Sequence, residues 1–219
     1  MTARPRVKIC CIASAEEARL AVECGASAVG LVSAMPSGPG VIAEELIAEV
    51  AARVPPPVAT FLLTCRQDAA GIVAQQRRCR TNTLQLCDRV APEVYGELRA
   101  ALPGVSLVQV VHVGGPESVD EALASAAHVD ALLLDSGNQS LPVKELGGTG
   151  RVHDWRLSRR IRDCAPVPVF LAGGLNPSNV AAAVEAVRPF GLDVCSGVRT
   201  GGRLDGEKLS RFFANLPRV

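Results

Sequence analysis

Short runs of β-branched and aliphatic residues recur at regular intervals along the chain: Val7 to Ile12, Ala28 to Val32, Val58 to Leu63, Thr83 to Leu86, Val105 to Val111, Ala131 to Leu134, Val167 to Ala172 and Leu192 to Val194. They are nearly continuous apolar runs rather than alternating ones, as expected of strands in a parallel sheet covered on its outer face by helices and packed within. The segments between carry apolar residues at three- and four-residue spacing, such as Ala18, Ala21, Val22 and Val180, Ala183, Val184, Val187, which predicts helices. Local signals agree. Ser14-x-x-Glu17 reads as a capping box, Cys24-Gly25 as a helix end, and Asn176-Pro177 as an N-cap with proline at the first helical position.

Strand and helix thus alternate eight times. That pattern implies an α/β fold with a parallel sheet, and periodicity alone leaves a closed barrel and a doubly wound open sheet both available. Eight is the barrel number, and 219 residues suit a single (βα)8 (TIM) barrel over 1–219. No linker or charge block divides the chain. Pro55-Pro56-Pro57 reads as a rigid helix-to-strand turn.

Composition narrows the function. Aromatic residues make up only 3%, so base-stacking platforms are absent, and the net charge is +1 with 20 arginines dispersed rather than massed, so no nucleic-acid footprint is visible. No stretch approaches the roughly 18–20 apolar residues of a membrane span, and the start at Met1-Thr-Ala-Arg-Pro-Arg shows no export signal. A cytoplasmic protein is expected. Eight dispersed cysteines without a C-x-x-C pair read as reduced thiols, and three isolated histidines give no zinc-ligand spacing.

In a (βα)8 barrel the loops after the strands converge on one face, where chemistry resides. Gly147-Gly-Thr-Gly150, Gly173-Gly174 and Ser196-Gly197 follow the sixth, seventh and eighth runs. Each could be a tight turn. Together they predict an anion pocket, with backbone amides and a short helix after the eighth run aimed at a phosphate. Asp135 ends the sixth run at the rim of an apolar interior, as a loop cap or as a proton carrier. Cys10 ends the first run, as a buried hydrophobe or as a base or nucleophile. Cys11 is expected to face the opposite side, because strand side chains alternate. Cys87 and Cys195 also end strands, with no role marked.

The segments Val7-Lys-Ile-Cys-Cys-Ile12, Leu84-Gln-Leu86, Leu132-Leu-Leu-Asp135, Gly147-Gly-Thr-Gly150, Phe170-Leu-Ala-Gly-Gly-Leu-Asn-Pro177 and Asp193-Val-Cys-Ser-Gly-Val198 resemble the phosphoribosylanthranilate isomerase family nearly end to end. The resemblance implies a (βα)8 barrel that performs an Amadori rearrangement of a phosphorylated small molecule in tryptophan biosynthesis, as a monomer or homodimer, without metal or organic cofactor. It further implies Asp135 as general acid and Cys10 as general base. The phosphate is expected on the backbone of Gly148, Gly150, Gly174, Ser196 and Gly197.

The chain departs from the family pattern in four places. Gly40 stands where the family's second-strand loop carries a carboxylate-binding arginine, Cys87-Asp88 replaces His-Gly, Cys11 replaces glycine, and Arg199 replaces glutamate. Arg89, in a rim loop, is the candidate to supply the lost guanidinium. Two other readings stand beside the isomerase: a paralogue acting on a sugar phosphate without the anthranilate carboxylate, and a phospholigand-binding barrel without turnover.

Overall fold

A computed structural model describes residues 4–217. Met1–Ala3 and the last two positions of the expected 1–219 unit lie outside the described residues. Eight parallel strands, β1 (Arg6–Ile9), β2 (Ala28–Val32), β3 (Ala59–Thr64), β4 (Thr83–Leu86), β5 (Ser106–His112), β6 (Ala131–Asp135), β7 (Val169–Leu171) and β8 (Gly191–Val194), form a closed barrel in chain order, with β8 paired back on β1. The helices α1 (Ala15–Glu23), α2 (Glu44–Arg53), α3 (Ala69–Cys79), α4 (Pro92–Ala101), α5 (Glu117–Ala126), α6 (Trp155–Cys164), α7 (Val180–Val187) and α8 (Gly206–Ala214) alternate with them. The closed barrel, not the open sheet, is the architecture.

The unbroken apolar runs acquire their reason here, because each strand has two buried faces. Val29, Leu31, Leu62, Leu84, Leu132, Leu134 and Leu192 point outward and pack with helix residues such as Ile47, Ile72 and Val184. Ala28, Phe61, Leu63, Val108, Val110, Leu133 and Phe170 fill the interior. Each fully buried leucine contributes about 1.5–3 kcal/mol relative to exposure, so the two layers together hold the barrel closed. The polar residues that interrupt the inner layer include Lys8, Thr83, Gln85, Asp135 and Asp193.

Three local expectations change. The strand expected to reach Ile12 ends at Ile9, because Cys11 takes a left-handed conformation with φ 60°. The seventh helix starts at Val180 rather than Pro177. Asn176 and Asn179 instead close a turn, with the Asn176 amide donating to Asn179 Oδ1 at 2.8 Å and Asn176 Oδ1 accepting from the Ser178 amide at 2.8 Å. After β8 there is only a single 3-10 turn, Ser196–Val198, followed by the two-stranded β9 (Arg199–Thr200) and β10 (Arg203–Leu204).

Half of the predicted capping box is present. Ser14 Oγ accepts from the Glu17 amide at 3.2 Å, while the Glu17 carboxylate reaches the amides of Ala13 and Leu204 instead of that of Ser14.

Candidate active site

At the C-terminal ends of the strands, the loops after β1, β2, β6, β7 and β8 enclose one cavity, lined by Cys10, Cys11, Gln85, Cys87, Asp135, Gly147, Gly148, Thr149, Gly150, Gly173, Asp193 and Cys195. Cys10 and Asp135 therefore face the same space from β1 and β6. Gly148 and Gly150 line it too. Gly174, Ser196 and Gly197 do not, but their loops press on those that do. A side chain at Gly174 would meet the Gly150 carbonyl at 2.9 Å, one at Gly197 would collide with the Leu175 carbonyl, and Gly150 lies against Ser196 Oγ. Loops six, seven and eight thus share one close-packed backbone contact.

Asp135 is positioned by its own loop. Oδ1 accepts from the Ser136 amide at 2.7 Å, and Ser136 Oγ is hydrogen-bonded to Thr149 Oγ1 at 2.7 Å. The other oxygen, Oδ2, lies beneath Gly147, where a Cβ would sit 2.8 Å away and where φ is +131°. Only glycine permits both that backbone conformation and that approach.

Cys10 sits beside a buried ion pair. Lys8 is fully buried, and its Nζ donates to Asp193 Oδ1 at 2.9 Å and to Cys10 Sγ at 3.5 Å. Burial opposes the charge on Lys8 and pushes the Asp193 carboxyl up, yet the Asp193 carboxylate, helped by the nearby thiols, holds the ammonium well above the ordinary lysine range. The pair is ionic. Burial also pushes the Cys87 thiol up, which keeps it neutral. Gln85 Oε1, which is buried, has no hydrogen-bond partner among the described residues.

Cys11 corrects its expected placement. With φ 60° its side chain turns back into the cavity instead of outward. Its thiol donates to the Pro39 carbonyl at 3.6 Å. The neighbouring Cys10 and Cys195 thiols, together with burial, push the Cys11 thiol up, and the contact with Cys11 lowers the Cys195 thiol. Cys11 also explains the glycine at position 40. A Cβ there would lie 2.9 Å from Cys11 Cα and 3.0 Å from its Sγ, at a backbone φ of +82°. With cysteine at 11, no side chain fits at 40.

The other departures have partners of their own. The Arg199 guanidinium donates to the carbonyls of Cys10 (3.2 Å) and Cys11 (2.5 Å) and pairs with Glu17 at 3.0 Å, fastening the end of β1. Asp88 pairs with Lys144 at 2.6 Å, joining the loops after β4 and β6. Ser37 donates to the Lys144 carbonyl at 2.7 Å, which draws the loop after β2 over the cavity.

Arg89 is not part of this site. Its guanidinium is taken by Glu121, and it lines a separate cavity with His112 and His153. It follows Asp88, whose Oδ1 accepts from its amide, so the chain has already turned outward. No described residue set of three or more His, Cys, Asp or Glu is arranged to hold a metal ion, and no described helix is long and apolar enough to cross a membrane.

The sequence reading missed Lys8 and Asp193 as site residues. A signal existed: each is a lone charge inside an apolar run, of opposite sign, in the first and last strands, which become neighbours only when the barrel closes.

Fold and cavity together define a (βα)8 barrel enzyme with its polar groups gathered at the C-terminal rim. Residues 7–215 match the family model of N-(5'-phosphoribosyl)anthranilate isomerase. The chain is similar to the N-(5'-phosphoribosyl)anthranilate isomerases of Methanocella arvoryzae (34% identity, covering 98% of both chains) and Desulforudis audaxviator (38%, covering 97% of both). Among solved structures it is similar to phosphoribosylanthranilate isomerase of Thermotoga maritima (TM-score 0.82, 30% identity, covering 96% of this chain and 98% of the other). A phosphoribosylanthranilate isomerase in complex with reduced 1-(o-carboxyphenylamino)-1-deoxyribulose 5-phosphate superposes with TM-score 0.80 at 29% identity, covering 96% of this chain and 97% of the other. The chain belongs to the N-(5'-phosphoribosyl)anthranilate isomerase family and is an isomerase.

Proposed function

We propose that this isomerase converts N-(5'-phosphoribosyl)anthranilate to 1-(2-carboxyphenylamino)-1-deoxyribulose 5-phosphate in tryptophan biosynthesis, with Asp135 as general acid and Cys10 as general base. The observation that carries the reading is that family likeness runs through the whole described barrel while these two groups line one cavity from different strands. Asp135, through Oδ2, protonates the furanose oxygen and opens the ring to a Schiff base. Cys10 then takes the proton from C2', and the resulting enol tautomerises to the ketone. One proton enters and one leaves, so the substrate is rearranged without change of composition. General acid and base each contribute about 10²–10⁴-fold in such steps.

The phosphate rests on the backbone amides of Gly148, Gly150, Gly174, Ser196 and Gly197. Support for this comes from the packed contact of their three loops and from the positive φ of Gly148, Gly150 and Gly174, which lets amides converge on an anion. The protein works in the cytoplasm as a monomer or homodimer.

Complementation of a tryptophan auxotroph lacking this isomerase tests the reading. Growth supports it, and failure with folded protein transfers belief to a second reading. In that second reading the chain rearranges a sugar phosphate lacking the aromatic carboxylate, and the specific observation in its favour is Gly40, which Cys11 keeps free of any side chain.

A further inference from the structure

Lys8 makes more contacts than a structural ion pair requires. With Asp193 at 2.9 Å its charge is already matched, yet the same ammonium also reaches Cys10 Sγ at 3.5 Å. The barrel is shaped to allow this meeting. On β2 the inward position is Gly30, where a Cβ would stand 3.0 Å from Cys10 Sγ, from Lys8 Cε and from Lys8 Nζ. Any side chain there would push the two apart. On β3 the Phe61 ring lies 5.3 Å from Nζ and presents its face to the cation. Register completes the arrangement, since Lys8 is paired with Asp193 and the next inward residue along β1 is Cys10.

We infer that Lys8 is the positioning residue of the base, its ammonium donating to the Cys10 sulfur and balancing negative charge there while Asp193 fixes the ammonium in place. This rests on Cys10 being the base. The proton leaving C2' goes to sulfur, and Lys8 keeps its own proton throughout. A fully buried ammonium within reach of a thiolate acts with little screening by solvent.

The other titratable groups of the cavity are Asp193 and Cys195 from β8 and its end, Cys11, Cys87 beyond β4, and Asp135 from β6. The inward residues of β2 and β3, among them Ala28, Gly30, Val32, Phe61 and Leu63, carry no charge, and from β9 Arg199 reaches the Cys10 carbonyl at 3.2 Å while paired with Glu17.

Two variants with opposite expected signs form the test. Lys8→Met/Asp193→Asn removes both charges without leaving an orphan. Asp193→Asn alone removes the carboxylate and leaves Cys10 Sγ as the remaining hydrogen-bond acceptor of Lys8, so that a negative charge on sulfur becomes the counter-ion. Each is checked for folding by circular dichroism. Two pH profiles follow: kcat/KM, and the rate of iodoacetamide alkylation at Cys10, read by peptide mass spectrometry.

In the double variant the acid limb of both profiles should move up by about one pH unit, so that alkylation at neutral pH slows about tenfold. In Asp193→Asn both should move down. Profiles that stay at the wild-type position in either folded variant, or that move the opposite way, overturn the role of Lys8. Should the double variant fail to fold, the single variant decides. If instead Cys10→Ser remains fully active, the base assignment fails, and the alkylation profiles still report whether Lys8 and Cys10 are coupled.

Discussion

The two sides of the cavity are built differently. On the β1–β8 side, Cys10 is held by regular strand register: Lys8 and Asp193 are direct partners across the barrel seam, and Arg199 fastens the carbonyls just beyond. On the β6 side, Asp135 is held by a loop, through the Ser136 amide, the Thr149 hydroxyl and the backbone of Gly147. One side derives its geometry from buried charge and strand pairing, the other from backbone conformation. Damage to the first should therefore reach folding, whereas damage to the second should reach catalysis with folding intact.

Removing the proposed base and acid tests both sides at once. Cys10→Ala and Asp135→Asn should each lower kcat/KM by about 10²–10⁴-fold in the fluorescence assay of anthranilate conversion while leaving the protein folded. Full activity in either variant ends the proposed mechanism.

A sharper contrast comes from adding one methyl group on each side. Gly147→Ala presses on Asp135 Oδ2, and displacement of a catalytic group by about 1 Å can cost about 10²-fold. The expected outcome is a large fall in kcat with a small change in Tm. Gly40→Ala meets Cys11 instead and forces an alanine to φ +82°. Overpacking of this kind costs about 1–3 kcal/mol, so here Tm should fall. The loss should shrink in a Cys11→Gly background, because the collision is with Cys11 itself, and a double-mutant cycle by thermal unfolding measures the coupling.

A smaller effect depends on pH. Burial works against the charge on Glu17, but hydrogen bonds from Arg199 and from the amides of Leu204 and Ala13 hold its carboxyl below its ordinary value. A carboxyl lowered in the folded state stabilises fully above its unfolded value of 4.5 and loses that contribution as pH falls through the folded value. Glu17→Gln should therefore lower Tm at neutral pH and converge on the wild type in acid, below the lowered folded value. An equal difference at neutral and acid pH would remove the ionic account of this clamp.

Least of all should Arg89→Ala matter. Because its guanidinium is engaged by Glu121 outside the cavity, KM for phosphoribosylanthranilate should remain unchanged. A marked rise would return Arg89 to the site.

Much of the site could be read from the chain because strand ends in this fold face a common rim. That rule located Cys10, Asp135, Gly148 and Gly150 without any three-dimensional information. It failed where the chain leaves regular geometry. Alternation predicts an outward Cys11 only while φ stays negative, and a single left-handed residue reverses the direction. It failed for Arg89 because its long side chain reaches a carboxylate outside the cavity, that of Glu121, 32 residues away in sequence. The helix start at Val180 was missed because two asparagines compete for the same turn, and their side chains bond each other's segment rather than the helix end.

The sequence by itself determined the count and order of the barrel strands and of the helices between them, through apolar runs that need two covered faces and segments whose spacing needs one. It also determined which residues end the strands. Only closure of the barrel decided that β1 and β8 are neighbours, and with that the meeting of Lys8, Asp193 and Cys10. The lysine and aspartate lie 185 positions apart. Their pairing leaves no local trace, because the force that joins them acts across space and depends on the burial that the whole fold creates.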